Sequence, residues 1–120
     1  MVEFQHDEGI SEKEPKAIED LVEKVQAYLP GVDCSILEKA YTFSEAAHIG
    51  QLRRSGQPYI FHPLGVAAIL ADLKLDIPSI VTGLLHDTVE DTKVTLAEIE
   101  TQFGKNISDL VDGVTKISKI

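Results

Sequence analysis

The sequence predicts an all-α protein, a bundle of about six helices packed irregularly around one core. Three observations support this fold class. Apolar residues recur every three or four positions along most of the chain, which is the period of an amphipathic helix. No stretch sustains the alternation of apolar and polar residues that a half-buried strand shows. Capping residues, prolines and glycines separate the helical stretches, as helix start and stop signals do.

The N-terminal part of the chain is expected to form a polar arm and two helices. Residues 1–14 are polar and acidic and are predicted to be the arm. Residues 15–28 carry apolar side chains at helical spacing and begin with Pro15, which suits a first helical turn. Asp33 can cap a second helix, which is predicted to run to about Arg54 and to end there in a basic turn.

The third and fourth helices are predicted from their prolines and apolar spacing. The third begins at His62 and Pro63, where the missing N–H of proline does no harm, and ends near Lys74. The fourth opens at Asp76 and Pro78 and carries the polar motif described below.

Two more helices complete the predicted bundle. Residues 96–103 follow a capping-box pattern at Thr95 and are stopped by Gly104. The last helix is predicted to begin at Asn106 or Ser108 and to reach the end of the chain, where its apolar periodicity is unfinished.

Length and composition limit the classes of function. A chain of 120 residues predicts one domain, and 43% hydrophobic with 26% charged residues is typical of a soluble globular protein. No apolar run approaches the roughly 20 residues that a membrane span needs. The single cysteine, Cys34, fits a reducing compartment, and a cytoplasmic location is expected. A net charge of −9 argues against a general nucleic-acid or anionic-membrane surface.

The stretch from His86 to Thr92 carries the strongest chemical signal. On one helix, His86 and Glu90 lie one turn apart, as do Asp87 and Asp91, so all four fall within a sector of about 140°. Three crowded carboxylates repel one another, and a divalent cation removes that cost. A solvated acidic helix face is the plain alternative. The adjacent histidine and aspartate, together with His62 upstream, favour a metal site.

Other polar residues allow two interpretations each. His48 lies on the second predicted helix and is expected to be a structural residue rather than a ligand. Arg53 and Arg54 either complement the dipole at the end of that helix or clamp an anion and a nucleobase, because guanidinium both pairs with phosphate and stacks on rings.

Four further stretches are informative together: Arg53-Arg54-Ser55-Gly56-Gln57-Pro58-Tyr59-Ile60-Phe61-His62-Pro63, Leu84-Leu85-His86-Asp87-Thr88-Val89-Glu90-Asp91-Thr92, Phe103-Gly104, and Val111-Asp112-Gly113-Val114-Thr115-Lys116. They resemble the N-terminal hydrolase domain of RelA/SpoT-type alarmone enzymes, which belongs to the HD phosphohydrolase superfamily. The resemblance covers roughly residues 38–119.

The resemblance implies an HD-type helical fold, a reaction and a set of site residues. The reaction is hydrolysis of guanosine 3′-diphosphate 5′-di- or triphosphate, ppGpp or pppGpp, to GDP or GTP and pyrophosphate. The implied ligands of Mn²⁺ are His62, His86 and Asp87, and the implied catalytic residues that position or deprotonate water are Glu90 and Asp91. The implied substrate-binding residues are Arg53, which stacks on guanine, with Arg54, Ser55 and Tyr59.

One expected feature of that family falls outside this sequence. The resemblance implies a fourth ligand, an aspartate on a later helix beyond residue 120. Residues 15–120 are therefore expected to be part of an HD phosphohydrolase domain, truncated at its C-terminal side and weakly active or inactive by itself. The loss of closing helices is also expected to expose apolar surface between Leu110 and Ile120, which favours a homodimer or a domain swap.

Three functions compete at this point. The first is the hydrolase part of a bifunctional enzyme that also has GTP pyrophosphokinase activity. The second is a non-catalytic HD module that binds a nucleotide or regulates a neighbour. The third is an HD phosphohydrolase for another nucleotide, against which the block from Arg53 to Pro63 argues.

Overall fold

The computed structural model describes residues 17–118 and confirms the all-α fold class. The described chain contains an isolated antiparallel bridge between Leu52 and Pro58 and no longer strand. Its six helices are α1 (Ile18–Tyr28), α2 (Ser35–Ala47), α3 (Phe61–Asp72), α4 (Ile77–Asp91), α5 (Leu96–Phe103) and α6 (Lys105–Ser118).

Helix α4 is the centre of the bundle. It packs against α2, α3 and α6, while α5 packs on α6 and α1 packs on α3 and α2. The apolar side of α4 is fully buried because three helices cover it. The side chains of α4 with no exposure are Ile80, Val81, Leu84, Leu85 and Thr88. The ionisable side chains of α4, His86, Asp87, Glu90 and Asp91, therefore lie in the sector that the three helices leave open.

The predicted starts of α4 and α5 are confirmed. Asp76 is the N-cap of α4, and its Oδ1 accepts a hydrogen bond of 3.0 Å from the backbone N–H of Ser79. Thr95 and Glu98 form the capping box of α5. Gly104 ends α5 with a φ of 94°, a left-handed conformation that favours glycine. These signals lie within one helical turn, which is why the sequence pattern was sufficient to find them.

The predicted end of the second helix is wrong. Helix α2 stops at Ala47, and the chain turns at Gly50, whose φ is 83°. Residues 51–59 then form a short hairpin, in which the N–H of Arg53 donates to the Gln57 carbonyl at 2.8 Å. The N–H of Tyr59 donates to the Gln51 carbonyl at 3.0 Å. The interpretation of the two arginines as cations in the last helical turn is therefore also wrong.

Smaller corrections concern helix boundaries. The N-cap of α2 is Cys34, and Asp33 lies one position earlier, where its Oδ1 accepts from the Ser35 N–H at 2.9 Å. The connector predicted before the third helix belongs partly to the hairpin, because Pro58 bridges to Leu52. Helix α6 begins at Lys105, one residue before the earlier of its two predicted starts.

Helix α6 leaves part of its apolar side uncovered. Leu110, Val114 and Ile117 are exposed, with Ile117 at 70%, whereas Val111 is fully buried. The uncovered side chains agree with the expected apolar surface, and association between copies stays a prediction. No helix in residues 17–118 has the length and apolar composition to cross a bilayer. The arm predicted for residues 1–14 lies outside the described residues.

Candidate metal centre

Two helices bring the predicted ligands together. His86 and Asp87 lie in the open sector of α4, and His62 lies in the first turn of α3. Nε2 of His86 is 3.0 Å from Oδ1 of Asp87, and Nε2 of His62 is 3.4 Å from Oδ2 of the same carboxylate. One donor atom from each of the three residues lies within 4.8 Å of the other two. All three residues are half-buried, so the cluster is shielded but reachable from solvent.

A close approach of α3 and α4 at Gly83 places these side chains opposite each other. Gly83 is buried, and a Cβ atom there would lie 2.8 Å from Cδ1 of Leu70 and 3.5 Å from Cα of Ala67. Both neighbours belong to α3, so the absent side chain lets the two helices pack closely. His86 lies one turn beyond Gly83 and faces the start of α3.

Gly83 also orients His86. Its carbonyl oxygen lies 2.9 Å from Nδ1 of His86, and because a carbonyl only accepts, Nδ1 carries the proton. Nε2, the other ring nitrogen, therefore faces Asp87. The hydrogen bond to Asp87 raises the pKa of His86 against the opposing effect of burial. A carbonyl that fixes the ring and tautomer of a histidine is a common support for a metal ligand.

Tyr59, from the end of the hairpin, supports Asp87. Its hydroxyl donates to Oδ2 of Asp87 at 2.7 Å and lies 3.5 Å from Oδ2 of Asp91. Burial and these carboxylates raise the pKa of Tyr59 far above its ordinary value, so the phenol remains a donor. Burial acts to raise the pKa of Asp87, but hydrogen bonds from His86 and Tyr59 outweigh it and hold the pKa low. The resemblance implies a place for Tyr59 in the nucleotide pocket, and nothing in the sequence indicates its contact with Asp87.

The donor set fits a divalent metal ion. Two imidazole nitrogens and an ionised carboxylate are ligands of borderline and harder divalent cations, and no thiolate is among them. Bonds from such donors to a metal are about 2.0–2.2 Å long, so small side-chain rotations gather the three donors onto one ion. His62, His86 and Asp87 could therefore hold a divalent cation.

The remaining predicted residues lie around this centre rather than in it. Glu90 and Asp91 are exposed at the C-terminal end of α4, one turn beyond His86 and Asp87. Arg53, Arg54 and Ser55 are exposed on the hairpin, whose last residue, Tyr59, touches Asp87. The hairpin thus connects the cationic segment to the metal centre through one hydrogen bond.

His48 is buried and is not a member of the metal cluster. Its ring lies against the ring of Tyr59, with centroids 4.5 Å apart. The expectation of a structural residue agrees with its burial. Its contact with Tyr59 has no signal in the sequence, because the two residues lie 11 positions apart and apolar spacing predicts that the second helix continues to about Arg54.

Comparison with known proteins gives a consistent set of similarities. Residues 40–120 match the HD domain family. The chain is 58% identical over 95 residues to a GTP pyrophosphokinase of Myxococcus xanthus, covering 79% of this chain and 12% of that protein. It is 50% identical over 101 residues to the GTP pyrophosphokinase rsh of Brucella melitensis, covering 84% and 14%. It is 46% identical over 102 residues to the bifunctional (p)ppGpp synthase/hydrolase SpoT of Escherichia coli, covering 85% and 14%. The chain therefore spans about one-seventh or less of the length of these relatives.

Proposed function

This chain belongs to the HD domain family and carries an HD domain of the RelA/SpoT type, and we propose that it is the hydrolase part of a bifunctional alarmone enzyme. The proposed reaction is the metal-dependent hydrolysis of ppGpp or pppGpp at the 3′ position, which releases pyrophosphate and GDP or GTP. The proposed parent protein also has GTP pyrophosphokinase activity, as the names of two relatives suggest.

The observation that carries this proposal is the convergence of His62, His86 and Asp87 on one point. These residues come from two helices, and His62 lies 24 positions before His86. Their proximity is therefore not explained by spacing along one helix. Two of the three are held by hydrogen bonds: His86 donates to the Gly83 carbonyl, and Asp87 accepts from the Tyr59 hydroxyl. An acidic helix face that is merely solvated has no need of such support.

The proposed roles follow from each residue's surroundings. His62, His86 and Asp87 would hold the metal ion, which we take to be Mn²⁺. Such a cation supplies Lewis-acid polarisation of a phosphoryl oxygen and a nucleophilic water near neutral pH. Glu90 and Asp91, exposed one turn further along α4, orient the attacking water, and one of them accepts its proton.

The hairpin supplies the proposed binding surface for the substrate. The guanidinium groups of Arg53 and Arg54 offer the paired positive charge that a polyphosphate needs in a chain with a net charge of −9. Arg53 stacks on the guanine, and Ser55 and Tyr59 line the same pocket.

The first test measures Mn²⁺ binding to the 120-residue chain by calorimetry, with His86→Ala as the comparison. We expect saturable binding at one site that the substitution removes. A matched control is Glu100→Gln on α5, an exposed residue outside the cluster, which should bind as the unsubstituted chain does.

The second test measures hydrolysis in the setting of a full-length relative. The matched segment of the E. coli relative is replaced by this chain, and pyrophosphate release from ppGpp is assayed with and without His86→Ala. We expect hydrolysis that the substitution abolishes. Nucleotide binding without turnover in the hybrid would favour the non-catalytic module, and turnover of other nucleotides alone would favour a different phosphohydrolase.

A further inference from the structure

A buried histidine lies directly behind the metal centre. The His48 side chain is only 3% exposed, and its Nδ1 donates to Oε1 of Gln51 at 3.0 Å. Its Nε2 is buried and has no hydrogen-bond partner within the described part of the chain. The imidazole ring faces the ring of Tyr59 with a centroid separation of 4.5 Å and an interplanar angle of 35°.

Gln51 links His48 and Tyr59 through three hydrogen bonds. Its side chain accepts from His48, its N–H donates to the His48 carbonyl at 2.9 Å, and its carbonyl accepts from the Tyr59 N–H at 3.0 Å. Gln51 therefore holds the imidazole ring on one side and the backbone of Tyr59 on the other. His48 thus contacts the ring of Tyr59, and Gln51 contacts its backbone.

The Tyr59 hydroxyl then reaches the metal centre. It donates to Asp87 at 2.7 Å, and the Tyr59 ring also lies 5.5 Å from the ring of His62. Tyr59 therefore contacts His48 on one side and two of the three candidate ligands, His62 and Asp87, on the other.

We propose that His48 is a positioning residue of the metal centre, which acts by holding the ring of Tyr59 so that its hydroxyl stays on Asp87. The inference rests on the proposed function, since it assumes that Asp87 is a metal ligand. Within residues 17–118, the ring contact and the side-chain hydrogen bond recorded for His48 go to Tyr59 and Gln51 and not to the three candidate ligands.

Stability alone does not explain an imidazole at this position. A buried nitrogen without a partner lowers stability, so an apolar side chain of similar volume would serve packing as well or better. What the imidazole adds is a ring of fixed orientation, because Nδ1 is tied to Gln51. Orientation matters for the residue that Tyr59 supports, since outer hydrogen bonds to a metal ligand commonly change metal affinity 10- to 100-fold.

The test is a double-substitution cycle on Mn²⁺ affinity, measured by calorimetry on the 120-residue chain, with urea unfolding in EDTA as the readout of stability. We expect Tyr59→Phe to weaken Mn²⁺ binding by about 10-fold, the lower end of the range for such supports. We expect His48→Leu to weaken it by a similar factor while stability is retained or raised. The doubly substituted chain should bind no more weakly than the Tyr59→Phe chain.

Two further variants separate positioning from packing. Ser44→Ala is the matched control, because Ser44 lies one turn earlier on α2, is fully buried and also has an oxygen without a partner in the described residues. Its Mn²⁺ affinity should be unchanged. Gln51→Ala removes the side-chain hydrogen bond to His48 without changing the buried imidazole ring. It therefore tests whether the orientation of His48 matters even if His48→Leu fails to fold. We expect this variant to bind Mn²⁺ several-fold more weakly.

Each contrary result identifies what has failed. Unchanged affinity in both the His48 and the Gln51 variants, while the unsubstituted chain binds Mn²⁺, would overturn the positioning role alone. Additive losses in the double variant would also overturn it, because His48 would then act by a route other than Tyr59. No Mn²⁺ binding by the unsubstituted chain would overturn the proposed metal centre and this inference with it.

Discussion

Asp87 and Asp91 lie one turn apart on α4 but differ in their surroundings. Asp87 is half-buried between two imidazoles and accepts from Tyr59, and these hydrogen bonds keep its pKa low in spite of burial. Asp91 is exposed and lies 3.5 Å from the same hydroxyl. A carboxylate held ionised between nitrogens suits metal binding, whereas exposed carboxylates suit proton exchange with water. The local environment therefore separates the two proposed roles.

Glu90→Gln should separate catalysis from metal binding. In the hybrid enzyme we expect kcat for ppGpp hydrolysis to fall by about 100-fold or more, the usual loss for a general base. The Kd for Mn²⁺ should stay within about twofold, since Glu90 lies outside the cluster of three ligands and calorimetry resolves larger changes. Glu100→Gln serves as the control. A loss of Mn²⁺ affinity as large as that of His86→Ala would make Glu90 a ligand instead.

Arg53 should act through its planar guanidinium and not through charge alone. We expect Arg53→Lys to raise KM for ppGpp nearly as much as Arg53→Ala does, about 10-fold, because ammonium keeps the charge but loses the stacking surface. Lys105→Ala, which removes an exposed cation on α6, is the control and should leave KM unchanged. If Arg53→Lys restored the unsubstituted KM, the contact would be purely electrostatic.

At the scale of single helices, α4 has a distinct structural feature at its start, its middle and its end. Asp76 caps its start, Gly83 admits α3 in its middle, and its last turn carries the exposed carboxylates. The cap and the polar face follow from spacing within the helix. The role of Gly83 follows from its neighbour, because the atoms that a side chain would meet belong to α3.

The cap at Asp76 should make stability depend on acid pH. The hydrogen bonds from Ser79 hold the pKa of Asp76 below its ordinary value of 3.8. A depressed folded-state pKa stabilises the fold above the ordinary value, and this contribution is lost as pH falls through the lower pKa. Asp76→Ala should therefore cost about 1 kcal/mol at pH 7, and the difference from the unsubstituted chain should shrink below pH of about 4.

Urea unfolding between pH 7 and pH 2.5 measures this effect. Asp76→Asn is the matched variant, because asparagine caps a helix about as well as aspartate and does not titrate in this range. Its stability relative to Asp76→Ala should be independent of pH. A constant difference between the unsubstituted chain and Asp76→Ala across the whole range would show that the cap does not depend on ionisation of Asp76.

On the scale of the whole molecule, the candidate metal centre and the hydrophobic core share one helix. The covered side of α4 supplies fully buried core residues, and its open side supplies two candidate ligands. The third candidate ligand comes from α3, which packs on α4. A bound metal ion would therefore connect α3 and α4, whose ligands come together only in the folded chain. Metal binding is expected to stabilise the fold for this reason.

Adding Mn²⁺ should raise the free energy of unfolding. At a free concentration of 100 times Kd, the expected gain is about 2.7 kcal/mol, because the unfolded chain does not gather the ligands. Thermal and urea unfolding with Mn²⁺ or with EDTA measure it, and His86→Ala should abolish the difference. An equal Mn²⁺ effect in the His86→Ala chain would mean that the ion acts elsewhere, for example by screening the net charge of −9.

The residue pattern alone was enough for features that depend on neighbours within one helical turn. The all-α class, the caps at Asp76 and Thr95, the stop at Gly104 and the shared face of His86 and Asp87 are of this kind. Their physical basis is local, because hydrogen bonds and side-chain positions in a helix repeat with a fixed period. The residue types also pointed to His62 as a third candidate ligand, and the family resemblance implied the same role.

Tertiary structure decided what depends on distant neighbours. The end of α2 at Ala47 could not be read from apolar spacing, since the hairpin that follows is closed by its own hydrogen bonds. The contact of Tyr59 with Asp87 joins residues 28 positions apart, and the ring of His48 reaches Tyr59 only after the hairpin has folded back. Such contacts arise from the packing of whole elements against α4. The sequence therefore determined the helices and the candidate ligands. Only the packed fold determined which hydrogen bonds and ring contacts support those ligands.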